Sequence, residues 1–475
     1  MNARVKAPEL PASLEWINID QPPSLRALHG RVTLLHFWTF DCVNCINLLP
    51  DIRYLENKYH DGLSVIGIHT PKYEYQRQAA PVLKAVNRNH IRHAVANDPN
   101  FELWQAYGVQ SWPTVALVDA QGNLAALLPG EGRRQETDTL IGQLLDEAAA
   151  RDQRVYEASA PVQRPEPRVP IRFPRRILVT DASLWIADSG HNRVLECTHE
   201  GRITRQFGSG NAGYWDGRNQ DAGFTDPQGL AVLKDAVYVA DTGNHALRRI
   251  RVLNGEVETV AGTGSCGYDL PDDDTDPNKV SMSAPTAVVG AGEKVYFVVS
   301  GQNQLWQLDL VRNRLSVLAG NGQLALADGD GVAASFAQPS GLCVIGQQLV
   351  VADAAASAIR LVRLIDNRVS TLVGSGLYDF GDVPGKRESA RLQHPLDVCA
   401  DPRGLIFVAD SYNGKIKALN MRSGELRALN LPYRLSEPAG VALGLGALWI
   451  ANTNAHEILR VDLGSGQIRR LTIGD

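Results

Sequence analysis

The chain has 475 residues, 44% of them hydrophobic and 21% charged, with a formal net charge of −5. That length exceeds what one ordinary core supports, so two or more domains are expected. The charge is evenly divided, with 13 Lys/Arg against 16 Asp/Glu in residues 1–150 and 30 against 33 in residues 171–475, so neither part has the positive excess that nucleic-acid binding needs.

Met1–Pro11 lacks the apolar stretch of a secretory signal, and nowhere do about 18 apolar residues run together as a membrane span requires. Beyond one close pair, Cys197, Cys266, Cys343 and Cys399 are scattered singly, unlike a disulfide framework. A cytoplasmic protein with no membrane or nucleic-acid partner is the expectation.

Residues 32–37 form a continuous apolar run of buried-strand length. It leads through Trp38-Thr39-Phe40-Asp41 into Cys42-Val43-Asn44-Cys45, where helical apolar spacing begins (Ile46, Leu49, Ile52, Leu55). Two thiols so spaced at a helix start can close one disulfide, and the first meets unpaired N–H groups and the positive end of the helix dipole. That is the arrangement of a dithiol that exchanges disulfides. Competing readings are a structural disulfide, an unused pair or half a zinc site. Zinc needs about four ligands, and no second Cys-x-x-Cys or paired histidines supply them, so no metal or cofactor is expected.

Residues 63–69 read as a second buried strand, 74–88 as a helix, 114–118 as a third strand closed by the turn 119–122, and 137–150 as an amphipathic helix. This order implies an α/β domain. Four prolines among residues 160–170 then predict a stiff extended linker.

From residue 171 the pattern is all-β. Leu184-Trp185-Ile186-Ala187-Asp188-Ser189-Gly190 recurs six times, its Asp188-equivalent positions (Asp241, Val299, Asp353, Asp410, Asn452) lying 53, 58, 54, 57 and 42 residues apart. Pro-led strands precede most copies, giving about four strands per repeat. Such a unit buries both faces only by stacking, so a six-bladed β-propeller is expected. Long Gly- and Asp-rich connections after blades 1 to 4 make their rim the expected binding face. Asp188, Asp241, Asp353 and Asp410 read as turn chemistry, each bonding its own hairpin backbone, rather than as a metal or acid–base ring. The acidic run 269–276 lacks EF-hand spacing and reads as a solvated loop. Cys343 and Cys399 read as small buried hydrophobes, and Cys266 as an exposed thiol.

Two resemblances follow from these residues. Val239-Ala240-Asp241-Thr242-Gly243-Asn244-His245 resembles the core of an NHL repeat. Phe37-Trp38-Thr39-Phe40-Asp41-Cys42-Val43-Asn44-Cys45, with Pro50, Tyr107-Gly108-Val109 and Trp112-Pro113-Thr114, resembles the TlpA/DipZ-like branch of thioredoxins. Together the chain resembles the NHL-repeat-containing thioredoxin-like proteins. The resemblance implies a thioredoxin-like domain over residues 1–155, the linker at 156–170 and a six-bladed NHL propeller over 171–475. It implies Cys42 as attacking thiolate, Cys45 as resolving thiol and Pro113 as a cis-proline facing them. Trp112 and Trp38 would flank the thiols as a docking surface, Trp38 having ordinary core as its alternative. Thioredoxins bury an acid six residues before the first cysteine; here that residue is His36, either a proton relay or a core histidine with a satisfied N–H.

The expected function is thiol–disulfide exchange on a client protein or other thiol/disulfide substrate, with a cellular reductant the sequence does not name and the propeller as a protein-binding platform. The alternative is a non-catalytic interaction scaffold retaining the thioredoxin fold. A propeller enzyme would need convergent His, Asp and Glu residues, and the histidines are not placed repeat by repeat.

Overall fold

The computed structural model describes residues 5–155, 162, 168–272 and 275–474. The chain divides into two compact units, Met1–Pro167 and Arg168–Asp475. The predicted linker falls largely outside the described residues.

The first unit is built on a seven-stranded sheet. Its elements are β1 (Val5–Lys6), β2 (Glu15–Ile17), β3 (Val32–Trp38), α1 (Val43–Lys58), β4 (Leu63–His69), α2 (Ala79–Arg88), β5 (Ala94–Asn97), α3 (Glu102–Ala106), β6 (Thr114–Val118), β7 (Asn123–Pro129) and α4 (Arg134–Ala150). The sheet order is β1-β7-β6-β3-β4-β5-β2, with β3, β4 and β5 parallel and β6 antiparallel to β3. Every residue of β3 is buried, because helices and loops cover both faces of this central strand. Its alternation divides the core. Val32 and Leu34 pack with Leu48, Ile52 and Leu55 of α1, while Leu35 and Phe37 pack on the opposite face with Leu103 and Tyr107. His36, two residues beyond Leu34, therefore lies on the face that carries α1.

The expected helix over 74–88 is two pieces, a 3₁₀ turn Glu74–Arg77 and then α2. Gln76 is fully buried and its Oε1 accepts the backbone N–H groups of Lys72 and Tyr73, which closes the turn before α2 begins. The strands β1, β2, β5 and β7 are not among the expected elements.

The second unit is a six-bladed propeller. The blades span 177–207, 227–261, 285–319, 339–373, 395–428 and 438–470. Blades 2, 4 and 5 have five strands rather than four: Gly217–Arg218, Gly329–Asp330 and Gly385–Lys386, each from the preceding connection, pair with the blade's outermost strand. The long rim loops are thus sewn onto the next blade. Each joint has its own apolar core, for example Trp185 and Phe207 of blade 1 with Val237 and Ile250 of blade 2, or Trp449 of blade 6 with Leu184 and Leu195 of blade 1.

The repeated aspartates are structural, but not through the backbone of their own hairpins. Asp188, Asp241, Asp353 and Asp410 each accept, on Oδ1, a backbone N–H 16 or 17 residues earlier, from Arg172, Thr225, Ala337 and Gln393. Their other oxygen holds a cation on the following strand: Arg193, Arg248, Arg360 or Lys417, at 2.7 to 3.0 Å. Arg248 and Arg360 are fully buried and reach on to Asp216 and Asp328 in the rim loops. The aspartate therefore fixes the loop that enters its blade, a long-range bond that turn propensity does not foretell. The turn after each second strand ends in a left-handed residue. There Asn192, His245, Asn303, Ser357 and His456 accept the backbone N–H of Asp226, Ala284, Gln338, His394 and Phe173, each just before a Pro-led strand. The clasp from His456 to Phe173 joins blade 6 to blade 1 as the others join neighbours.

One side chain crosses the centre of the ring. Arg176 of the first Pro-led segment is 7% exposed and lies 3.1 Å from Asp397 of blade 5. It also donates to the carbonyls of Ser340 at 2.6 Å and Leu396 at 2.8 Å, and to that of Ala439. Asp397 holds the equivalent position in blade 5, and those in blades 2, 3, 4 and 6, Gly229, Ala287, Gly341 and Gly440, are small, which leaves the guanidinium its space. Beside it lies a cavity of about 210 Å³ whose walls include Leu178, Leu230, Val288, Cys343 and Cys399.

Candidate functional site

Cys42 is the N-cap of α1. Its extended backbone (φ −83°, ψ 109°) turns the chain into the helix, and its Sγ accepts the Cys45 N–H at 3.3 Å. A helix leaves its first N–H groups without helical partners, and here one is spent on sulfur. Cys42 is partly exposed, whereas Cys45, one turn on, is fully buried. Burial pushes the Cys45 thiol well above its usual range, a hydrogen bond and the charge of Cys42 add to this, a backbone hydrogen bond from Thr39 opposes it, and Asp41 raises it further. The two thiols are therefore unequal, one open to solvent and held by an amide, the other protonated beneath it.

Pro113 follows a cis peptide bond from Trp112 and opens β6, the neighbour of β3. Trp112 is partly exposed and its ring lies 4.5 Å from that of Trp104. Trp38 is fully buried, so it forms core beneath the motif rather than a docking surface. The reason is register. As the last residue of β3 its ring lies over Gly67 of β4, where a Cβ would come within 3.2 Å of the indole Nε1 and 3.5 Å of His93 Nε2.

His36 is fully buried, stacked on Trp38 at 6.2 Å. Burial first, and the nearby His93 second, lower its pKa to about 3, so it is neutral at pH 7. Neither ring nitrogen has a hydrogen-bond partner among the described residues, which departs from a core histidine with a satisfied N–H. The groups acting electrostatically on Cys45 are Cys42 and Asp41, while His36 answers to His93. His93 in turn lies 3.7 Å from Glu56 on α1. His69, at the end of β4, packs edge-on to Trp38 at 5.5 Å and against Phe40 at 5.3 Å, and burial lowers its pKa to about 4. Asp41, Thr39, Gln76 and Lys72 also belong to the site. Asp41 was visible in the sequence beside Cys42. Gln76 and Lys72 lie more than 25 residues away, and only the fold brings them there.

Among the described residues no group of three or more His, Cys, Asp or Glu side chains is placed to hold a metal ion, and no helix is long and apolar enough to cross a membrane. Cys399 is buried and Cys343 partly so, both in apolar clusters of the propeller, and Cys266 is exposed, with its sulfur 3.6 Å from Ser283 Oγ.

Residues 30–124 match the family model described as thioredoxin-like, and residues 224–250 and 392–419 match that of the NHL repeat. The chain is 33% identical to human NHL repeat-containing protein 2 over 99% of its own length and 72% of that protein. It is 35% identical to the Arabidopsis thaliana protein SUPPRESSOR OF QUENCHING 1, chloroplastic, over 97% of its length, but spans only 47% of that relative. The first unit is also similar to the Bacillus subtilis thiol-disulfide oxidoreductase YkuV, at 23% identity over 31% of this chain and 99% of that one.

Proposed function

This chain belongs to the NHL repeat-containing protein 2 family, and we propose that it works as a thiol–disulfide oxidoreductase through Cys42 and Cys45. The carrying observation is the inequality of the two thiols: Cys42 partly exposed on the helix cap, Cys45 buried and protonated. The Cys42 thiolate attacks one sulfur of a client disulfide, and the client's other sulfur leaves as a thiolate that can take the proton Cys45 gives up. Cys45 then loses its proton and attacks Cys42 Sγ. The mixed disulfide breaks, the client's second sulfur departs as a thiolate, and the Cys42–Cys45 disulfide remains. A cellular dithiol restores the pair. Residues 171–475 serve as the platform that holds a protein client, Pro113 and Trp112 border the thiols, and the cytoplasm, where reduced thiols are maintained, is the compartment such chemistry suits.

Insulin reduction by the full chain with dithiothreitol as electron source tests this. Cys42→Ser is expected to lose essentially all activity. Cys45→Ser is expected to lose turnover yet accumulate a mixed disulfide on Cys42, seen by non-reducing electrophoresis. Absence of both insulin reduction by the native chain and an adduct on Cys45→Ser would leave the oxidoreductase reading without support.

A further inference from the structure

The loop between β3 and α1 carries a third ionisable group beside the thiols. Asp41 directly precedes Cys42, yet its side chain is only 1% exposed. Its Oδ1 accepts from Thr39 Oγ1 at 2.9 Å and from Gln76 Nε2 at 2.5 Å. Its Oδ2 lies 4.0 Å from Lys72 Nζ, on a side chain 15% exposed. Gln76 is anchored by the Lys72 and Tyr73 backbone, so the segment after β4 closes over the carboxylate. Thr39 ties this cage to both cysteines: its hydroxyl binds Asp41, its carbonyl accepts the Cys42 N–H at 3.2 Å, and its backbone also bonds Cys45. The ionisable groups around Asp41 are thus Cys42 and Cys45 on α1, His69 at the end of β4, and Lys72 beyond it. A charge removed from solvent acts on such neighbours with little screening.

We propose that Asp41 and Lys72 form a charge pair that sets the reduction potential of the Cys42–Cys45 couple, with Asp41 as the positioning group. This rests on the oxidoreductase reading above. A carboxylate beside the motif opposes negative charge on the reduced dithiol and has nothing to oppose in the neutral disulfide. It therefore favours the disulfide and makes the couple more reducing, and Lys72 offsets part of this effect. In the exchange two electrons pass from the dithiol to the client disulfide. The Cys42 thiolate and the Cys45 thiol become one S–S bond, and the client's S–S bond becomes two sulfurs that leave carrying the Cys45 proton and the negative charge.

Equilibration of the full chain with reduced and oxidised glutathione at pH 7, read by alkylation of the Cys42–Cys45 peptide, tests it. Asp41→Asn is expected to shift the equilibrium about tenfold toward the dithiol, a rise of about 30 mV. Lys72→Met is expected to move it the other way, about threefold. Opposite signs from two near-isosteric variants are not produced by loosened packing. Both variants within twofold of the native chain, or both shifted in one direction, would overturn the proposal alone. A native pair that never exchanges with glutathione overturns the oxidoreductase reading and this proposal with it.

Discussion

Arg176→Met is expected to destabilise the propeller by about 3–5 kcal/mol, the range seen when one partner of a buried ion pair is removed. The arginine side chain joins blade 1 to carbonyls in blades 4, 5 and 6 and to the Asp397 carboxylate. Methionine fills the volume but leaves Asp397 charged, buried and without its cation, and takes one donor from each of three carbonyls. Burial already pushes Asp397 up to about 6 even with Arg176 beside it. Urea unfolding followed by hydrogen exchange on peptides from residues 227–470 would locate the loss in the propeller. The double variant Arg176→Met/Asp397→Leu is expected to regain most of it, because apolar replacement of a whole buried pair is often neutral. A single variant as stable as the native chain would show that the central pair contributes little.

Acid should weaken the thioredoxin-like unit at an unusually high pH. His36 and His69 are fully buried, and their pKa values fall to about 3 and about 4, against about 6.5 in an unfolded chain. Between those limits the unfolded chain binds protons that the folded one refuses. Stability is therefore highest above pH 6.5 and declines as pH falls toward 4, by about 1.4 kcal/mol per pH unit for each histidine. Both groups together make the expected loss at pH 5 on the order of 4 kcal/mol. Burial raises the Asp51 and Asp98 carboxyls of the same unit, which offsets part of the loss at the acid end of this window. Urea midpoints of the first unit measured from pH 8 to 5 would reveal the slope, and His36→Leu should roughly halve it. A flat profile, or an unchanged slope in His36→Leu, would contradict this account.

The sequence made the long, strongly patterned elements legible. The apolar run into Cys42, the strand at 63–69 and the six-fold recurrence all carry periodicity that burial imposes. What it hid were partnerships between distant residues. Trp38 reads equally as surface or core until β4 brings Gly67 beneath it. The aspartate of four of the repeats looks like a turn residue because its backbone partner, an N–H 16 or 17 positions back, leaves no local mark. At the site, the resemblance points to His36, at the position where thioredoxins bury an acid. The buried carboxylate in this chain is instead Asp41, in the motif itself, and its cage comes from the far side of β4.

The clasp between His456 and Phe173 also has a kinetic side. It joins residues 283 positions apart, and the bridge from Arg202 to Gly474 spans almost as much chain. Neighbouring blades meet soon after they are made, but the ring cannot shut until the sixth blade exists. A nascent chain therefore carries an unsatisfied flank on blade 1, and a second on whichever blade was made last, through most of its synthesis. The apolar joint around Leu184, Leu195 and Trp449 is the last to be buried, and it is where a chaperone would find this protein or an aggregate would begin.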